Sequence, residues 1–581
     1  MSVRELITEH LDLWAGAVTK KSSSGRGNNG KVELTGVKKL RDLILQLAVT
    51  GRLVEQDASE EPATDLINRI QAGKEQLSLS SKQRKAKPLP PLSESERPFS
   101  LPPGWALSRL NDITDIQGGI AKGKKVAGRQ TRKLPYLRVA NVQRSSLDLS
   151  EIKEIEIAEE EIERYLVRQR DLLITEGGDW DKVGRTAIWD GRLEPMAHQN
   201  HVFRARLILR EQNEQWLERY LNSRFARDYF AGSSKQTTNL ASINKTQLRS
   251  CTVPLPPLEE QHRIVQKVDE LMALCDRLEQ QTSDQLEAHE TLVDTLLGTL
   301  TQSENATELA DNWARLAVHF DTLFTTEQSI DKLKQTILQL AVMGRLVEQD
   351  AGDEPACELL NRIAQEKIRL VAARKLKKQK PLTEIGDEDK PFELPSGWHW
   401  ARFGDVCAIK GELVRPESFP DLRQVAPDCI EKGTGRITEN RTVKESGVKG
   451  PNSRFYAGQI VYSKIRPSLS KAALVDFDGL CSADMYPIDA FIDSRFLLME
   501  ILSEIFLQQV RVAENRIKMP KLNQESLTGF VLPIPPLTEQ HRIVQKVDEL
   551  MALCDQLKER LNQASETRCQ LAEAVADNAL N

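Results

Sequence analysis

Along residues 261–278 the apolar positions Ile264, Val268, Leu271, Cys275 and Leu278 recur in steps of four, three, four and three. That spacing turns one narrow stripe of a helix toward a partner and is the seam of a coiled coil. Pro257 stands where a helix tolerates proline at its start, and proline is absent from 258 to 354. The pattern predicts one helix of about 65 Å if it runs from 258 to 300, at ~1.5 Å per residue. Past Leu278 the stripe slips by one position, through Leu286, Val293, Leu296 and Leu300, so some local unwinding is expected there. A second stripe follows Pro536: Ile543, Val547, Leu550, Cys554, Leu557, Leu561, Ala564, Leu571 and Val575, with Arg568 as its one polar interruption.

Shorter patterns predict further elements. Leu40, Leu43, Ile44, Leu47 and Ala48 form an amphipathic helix that stops at Gly51, and a copy of it stops at Gly344; glycine suits the left-handed cap position. Proline and a second helical stretch follow each, over 63–76 and 356–373. Alternating segments such as QIVYSKI and KAALVDF read as strands, and helices are expected over 213–230 and 493–513.

Comparison of the chain with itself organises these elements. ILQLAVTGRLVEQDA at 44–58 returns as ILQLAVMGRLVEQDA at 337–351, an offset of 293. QHRIVQKVDELMALCD at 261–276 returns unchanged at 540–555, an offset of 279, so the first copy carries fourteen extra residues between the blocks. The inserts within these matched frames, 106–253 and 407–532, resemble each other little. Segments that stay alike meet the same partner or each other, whereas inserts of domain size that diverge contact different things. Lys- and Pro-rich connectors, KAKPLPPLSESERPFSLPPGW and KKQKPLTEIGDEDKPFELPSGW, lead into the inserts, and the repeated Trp105 and Trp398 are expected to pack rather than react. The expected division is 1–99 helical region and linker, 100–256 first insert domain, 257–390 central helices and linker, 391–535 second insert domain, and 536–581 final helix.

The 581 residues suffice for several domains, and no apolar run approaches the roughly 18 residues of a membrane span. The first twenty residues carry Arg4, Glu5, Glu9 and Asp12 within their apolar pattern, which excludes a signal peptide, so a cytoplasmic protein is expected. Eight cysteines without a CxxC pair point to reduced thiols rather than a disulfide framework or zinc. Net charge is -5, but nucleic-acid binding depends on local charge. From Ile116 to Leu147 the first insert has no acid while holding Lys122, Lys124, Lys125, Arg129, Arg132, Lys133, Arg138 and Arg144, with Tyr136, Asn141 and Gln143 among them. Lysine and arginine neutralise phosphates, and Arg, Asn and Gln match base edges in the major groove. EGGDWDKVGR, HQNHVFR and SKQTTNLASIN add Lys182, Arg185, Gln199, Asn200, Lys235, Thr237, Thr238 and Asn239, while His198 and His201 read as satisfied loop histidines. The second insert offers Lys464, Arg466, Ser468 and Lys471 in YSKIRPSLSKAAL, then CSADMYP, then Lys518 in NRIKMPKLN. The blander reading of all of these is a solvated charged surface. The predicted helix length matches nearly two turns of B-DNA at ~34–36 Å each, which suits a spacer.

Catalytic motifs are weak. GGIAKGKK at 118–125 matches GxxxxGK, but Lys125 stands where a Ser or Thr must reach magnesium. No GxGxxG opens a βαβ unit, and no Asn-Pro-Pro-aromatic tetrad, HExxH or GxSxG occurs. Two rival readings remain: a self-contained methyltransferase or nuclease with its active site in one insert, and a coiled-coil scaffold that binds no DNA.

Two unlike domains, each preceded by LPxGW and followed by PLPPLEEQ or PIPPLTEQ, joined by repeated helices, resemble the type I restriction-modification specificity subunits over essentially the whole chain. The long N-terminal extension with GRLVEQD resembles the type IB subgroup. The resemblance implies a mixed α+β fold of two α/β target-recognition domains joined by long antiparallel coiled-coil helices, with an internal pseudo-two-fold repeat. It implies double-stranded DNA as ligand, two methyltransferase subunits and up to two restriction-translocase subunits as partners, and no membrane. S-adenosylmethionine, ATP and Mg2+ would belong to those partners, with no cofactor, metal or catalytic residue in this chain. It transfers no individual base contact.

Overall fold

A computed structural model describes residues 7, 9–20, 32–80, 89–93, 96–123, 128–178, 182–237, 240–303, 306–514 and 520–580. It forms two compact units, Met1–Asp284 with Ala564–Asn581, and Gln285–Gln563.

Both apolar stripes are single helices, Leu258–Gln302 and Leu537–Leu580. Ile264, Val268, Leu271 and Cys275 are buried, and the seam continues through Thr282 to Val293, Leu297 and Leu300. The step from 282 to 286 is a second consecutive four, the insertion that shifts a heptad seam, and the α-helix runs through it unbroken.

Each unit clamps a frame helix between segments of the two long helices. In the first, the frame helix is Thr35–Val49. Its Arg41 pairs with Asp276 and Glu279 of the first long helix at 2.6 and 2.9 Å, and its Lys39 with Glu573 of the second at 2.5 Å. Arg52 donates to the Leu580 carbonyl, and Arg263 pairs with Glu60. Numbers therefore fall along one long helix and rise along the other as the frame helix is followed, so these two segments are antiparallel. In the second unit the frame helix is Glu327–Val342. Lys334 pairs with Asp555, Lys332 with Asp294 at 2.7 Å, and Arg345 donates to the Thr301 carbonyl at 3.1 Å. These are the first unit's contacts moved by the two repeat offsets: Asp276 becomes Asp555, Glu573 becomes Asp294, and Leu580 becomes Thr301. The duplication seen in the letters is thus a duplication of contacts.

Repeated GRLVEQ and LPxGW are halves of one packing unit. Gly51 and Gly344 end the frame helices at φ +71° and +68°, a conformation glycine adopts at little cost. A Cβ on Gly51 would meet Pro102 at 2.6 Å and Trp105 at 2.9 Å; on Gly344 it would meet Pro395 at 2.6 Å and Trp398 at 2.8 Å. Each tryptophan donates its indole N–H to a carboxylate one turn into the long helix, Trp105 to Glu260 and Trp398 to Glu539, both at 3.0 Å. The next residue, Gln261 or Gln540, donates back to the Pro256 or Pro535 carbonyl at 2.9 and 3.0 Å. The glutamate and glutamine of PLPPLEEQ and PIPPLTEQ are buried fasteners. Burial pushes the Glu260 carboxyl up to about 7 and raises that of Glu539 in the same direction.

Within each frame a domain closes on a strand pair, Ala106–Arg109 with Thr252–Leu255 and His399–Arg402 with Val531–Ile534. The connectors, expected to be extended deliveries, are tied down at this pair. Buried Arg109 donates to the Pro90 and Ser250 carbonyls and pairs with Glu96 at 2.9 Å; Arg402 donates to the Thr383, Glu384 and Gly529 carbonyls and pairs with Asp389 at 2.7 Å. Both domains then build a four-stranded sheet in the same order. In the first it runs Thr186–Ile188, Leu172–Thr175, Val202–Leu207, Thr114–Gly118; in the second, Ala472–Leu474, Ile460–Ser463, Met485–Ala490, Cys407–Ile409. The other large sheets differ, four strands in the first domain and five in the second. The expected helices at 213–230 and 493–513 are each two, Glu214–Asn222 with Arg224–Ser233 and Ser494–Leu502 with Glu504–Ala513. Ser223 and Ser503 break them with extended backbone, at ψ 163° and 157°.

Candidate nucleic-acid interface

Backbone hydrogen bonds gather the polar segments of the first domain along one line. Ile120 donates to His198 and accepts from Asn200, both at 2.9 Å, so GGIAKG lies against HQNH. Glu176 donates to the His201 carbonyl and accepts from Ile243 at 2.9 Å each, and Gly178 pairs with Ala241. Four segments far apart in sequence, around 120, 177, 200 and 241, therefore form one surface. Gly119 permits the first approach, since a Cβ there would stand 2.2 Å from the His198 carbonyl oxygen. Strand Thr131–Leu137 is the next described element after GGIAKG, and among the described residues no helix opens there to offer the N-terminus a phosphate cradle needs.

The second domain repeats the stitch. Lys464 donates to the Asp484 carbonyl at 3.0 Å and accepts from Leu522 at 2.9 Å, while Arg466 donates to Pro520 at 2.9 Å. YSKIRPS, CSADMYP and the end of NRIKMPKLN thus meet as their counterparts do. Lys464 occupies the place of Glu176, and Asp484 that of His201. The side chains there differ: His201 Nδ1 lies 2.6 Å from a Glu176 oxygen, whereas Asp484 faces Lys464 at 4.0 Å and Lys521 at 3.2 Å, with the Lys464 ammonium 5.3 Å above the Tyr486 ring. The same backbone presents an anion with an imidazole in one domain and cations around a carboxylate in the other.

Placement of the individual side chains divides the sequence candidates. Lys122, Arg132 and Lys133 are exposed, and among the described residues no ion pair engages them. Arg129 is exposed too, but it pairs with Glu160 at 2.5 Å, and Arg138 pairs with Glu151 at 3.2 Å. Strand Lys153–Ala158 lies antiparallel to Thr131–Leu137, placing Glu156 opposite Lys133. Acids absent from 116–147 thus return from the next strand and thin the basic patch. Tyr136, read from sequence as a DNA-facing residue, is instead core at 4% exposure. Asn141, also read as facing DNA, is buried; it accepts from the Arg138 N–H at 2.9 Å and donates to the Asp148 and Glu151 carbonyls, so its side chain builds a turn. Arg185 is half-buried and donates to the Gln143 side chain at 2.6 Å; Lys182 is half-buried against Gly178. Gln199 and Asn200 are half-buried within the stitch. Lys235 and Thr237 stand on a strand paired with Leu240–Ser242.

In the second domain Arg466 is exposed in a left-handed conformation, φ +46°. The Ser468 N–H bonds Glu514 at 3.0 Å. Lys471, read as a DNA contact, is a correction: its ammonium is turned inward to the Pro427 carbonyl at 2.6 Å. Lys124, Lys125, Thr238, Asn239 and Lys518 lie outside the described residues. His201 is an exposed loop histidine, but His198 is fully buried, its Nδ1 2.7 Å from the Val202 carbonyl, and burial depresses its pKa to about 4. Among the described residues one trio has metal-ligand spacing, Asp428, Cys429 and Glu439. Arg441 already pairs with its two carboxylates, at 3.1 and 3.3 Å. No helix among the described residues is long and apolar enough to cross a membrane.

Comparisons with known proteins agree with this duplicated architecture. A family model described as "Type I restriction modification DNA specificity domain" matches residues 102–288 and again 395–566. The type I restriction enzyme EcoAI specificity subunit of Escherichia coli is 37% identical over 100% of both chains. The EcoEI specificity subunit of Escherichia coli is 36% identical, again over 100% of both. The crystal structure of the HsdS subunit from Thermoanaerobacter tengcongensis aligns over 84% of this chain and 99% of that one, at 17% identity and a TM-score of 0.41. With two matches to the family model inside one duplicated frame, and full-length relatives of this identity, the chain belongs to the specificity subunits of type I restriction-modification systems.

Proposed function

We propose that the chain is the sequence-reading, non-catalytic subunit of its complex, each domain taking one half of a bipartite, asymmetric DNA site. It directs adenine-N6 methyltransferase subunits and ATP-dependent restriction subunits to that site in the cytoplasm. S-adenosylmethionine, ATP and Mg2+ act in those partners. The observation that carries this reading is the stitched edge: the two domains share a sheet order and a set of backbone hydrogen bonds, yet set Glu176 and His201 against Lys464 and Asp484 at the same positions. Base edges are told apart by which donors and acceptors face them, so unlike side chains on a common backbone suit two different half-sites. Lys122, Arg132 and Lys133 supply exposed charge for phosphates, which fix register without carrying sequence information.

The purified chain, alone and with its methyltransferase subunits, tests this. Neutralising Lys122, Arg132 and Lys133 together is expected to weaken DNA binding by about tenfold or more at moderate salt and to flatten its salt dependence. Arg129→Ala, whose charge Glu160 already compensates, changes binding less than Arg132→Ala. Neither cleavage nor methylation accompanies the isolated chain. Activity that purifies with it and disappears on changing one of its carboxylates overturns the reading, as does salt-independent binding.

A further inference from the structure

The connector into the second domain divides by charge. Arg374, Lys375, Lys377, Lys378 and Lys380 crowd its first part, and Glu384, Asp387, Glu388 and Asp389 its second. The acidic part is folded onto the domain: Asp389 holds Arg402 at 2.7 Å and Asp387 pairs with Lys390 at 2.7 Å. The five cations of the basic part are all exposed. Lys380 reaches Glu525 at 3.6 Å, but those two side chains are 88% and 83% exposed, and such a pair contributes little. Among the described residues no ion pair engages the other four.

Helix capping accounts for only the beginning of this run. Helix Ala356–Ala372 ends where Lys375 donates to Leu370 at 2.9 Å, with Arg374 at φ +56°. A cation favours a helix C-terminus only within about the last turn, and Lys377, Lys378 and Lys380 lie beyond it. Gln379, anchored by the Lys367 ammonium at 3.2 Å, holds the segment in place.

The other copy supplies the second observation. At the offset of 293, Lys375, Lys377, Lys378 and Lys380 correspond to Lys82, Arg84, Lys85 and Lys87, whereas the letters around them change: Arg374, Leu376 and Gln379 stand against Ser81, Gln83 and Ala86. Residues 81–88 lie outside the described residues, so this correspondence is one of sequence. Charge is kept in register while bulk, polarity and the choice of lysine or arginine are not. That combination asks for point charges rather than a planar fork or an apolar anchor. A protein partner would want aromatic or apolar anchors, with lysine depleted; a row of phosphates wants what is present.

We infer that the basic half of the connector into the second domain, Lys375 to Lys380, is a sequence-independent binding site for the phosphate backbone of duplex DNA. This rests on the DNA-reading function above. Lysines here hold the duplex without choosing it, so they raise affinity for target and non-target DNA alike.

The full-length chain assembled with its methyltransferase subunits tests it, on one duplex carrying the methylated target and one of equal length lacking it, between about 50 and 200 mM salt. Two variants are compared with the parent: Lys375→Gln, Lys377→Gln, Lys378→Gln and Lys380→Gln together, and the same four positions changed to Arg. The Gln variant is expected to lower the slope of log K against log salt by about 2–3.5, at ~0.9 per phosphate contact, equally on both duplexes. It should methylate the same sequence, and the Arg variant should keep the parental slope. A parental slope in the Gln variant, a loss confined to the target duplex, or release of a methyltransferase subunit with DNA binding retained each overturns the site; the last result marks an acidic protein surface as the occupant. Failure of the parent itself to bind DNA refutes the reading function instead.

Discussion

At the scale of single residues, the letters of the repeat record fastening. Trp105 with Glu260, and Trp398 with Glu539, are buried donor–acceptor pairs, which is why both motifs recur around inserts that do not. The glutamate pays a desolvation penalty as an anion, and the sign of its linkage follows. Its folded pKa, near 7 for Glu260, lies above the unfolded value of about 4.5. Its contribution to stability is therefore fully present below about pH 4.5 and is lost as pH rises through 7. Glu260→Gln keeps an acceptor for the indole and removes the titration, so its melting temperature should exceed the parent's at pH 8 by more than at pH 5. A gap that is the same at both, followed by thermal unfolding, counts against a buried, titrating Glu260. The tryptophans read as packing residues in the sequence, while their carboxylate partners are hidden there, because the spacing of 155 residues between Trp105 and Glu260 has no local signature. Tyr136, Asn141 and Lys471 read as outward-facing in the sequence and are turned inward in the fold. Residue type and neighbouring charge favour DNA contact at those positions; strand register and a carbonyl within reach turn them inward.

At the scale of elements, the helices were legible and the sheets only in part, through QIVYSKI and KAALVDF, which hold the paired strands Ile460–Ser463 and Ala472–Leu474. The four-three stripes locate Leu258–Gln302 and Leu537–Leu580 to within a few residues, since a heptad is a long, redundant signal. Most of the other strands, of two to seven residues, leave no such trace, and the common sheet order of the two domains is invisible in inserts whose letters have diverged. The serine breaks at 223 and 503 were missed for a related reason: the apolar periodicity resumes after each, and only the backbone turn separates the halves. The proposed spacer role of the long helix makes a separate prediction. Four residues added near Gln281, about one turn of helix, should change the number of unread base pairs between the half-sites while leaving both half-sites as they are. Sequencing of methylated adenines in cells carrying the variant reads this directly, and an unchanged gap counts against the helix as a ruler.

At the scale of the whole molecule, the chain is two copies of one device whose contacts are exchanged. Each unit takes its frame helix from one part of the chain and its two long-helix segments from others, so that Asp276 and Asp555, or Glu573 and Asp294, serve equivalent cations in different units. This holds the frames alike while the inserts are free to differ, and it separates what is read from how it is held. The claim is tested most directly by replacing 106–253 with the corresponding insert of another family member and sequencing the methylated adenines of cells carrying the complete system. One half of the recognised site should change, with the other half and the gap retained. A site altered in both halves, or in neither, contradicts two independent readers on a common frame.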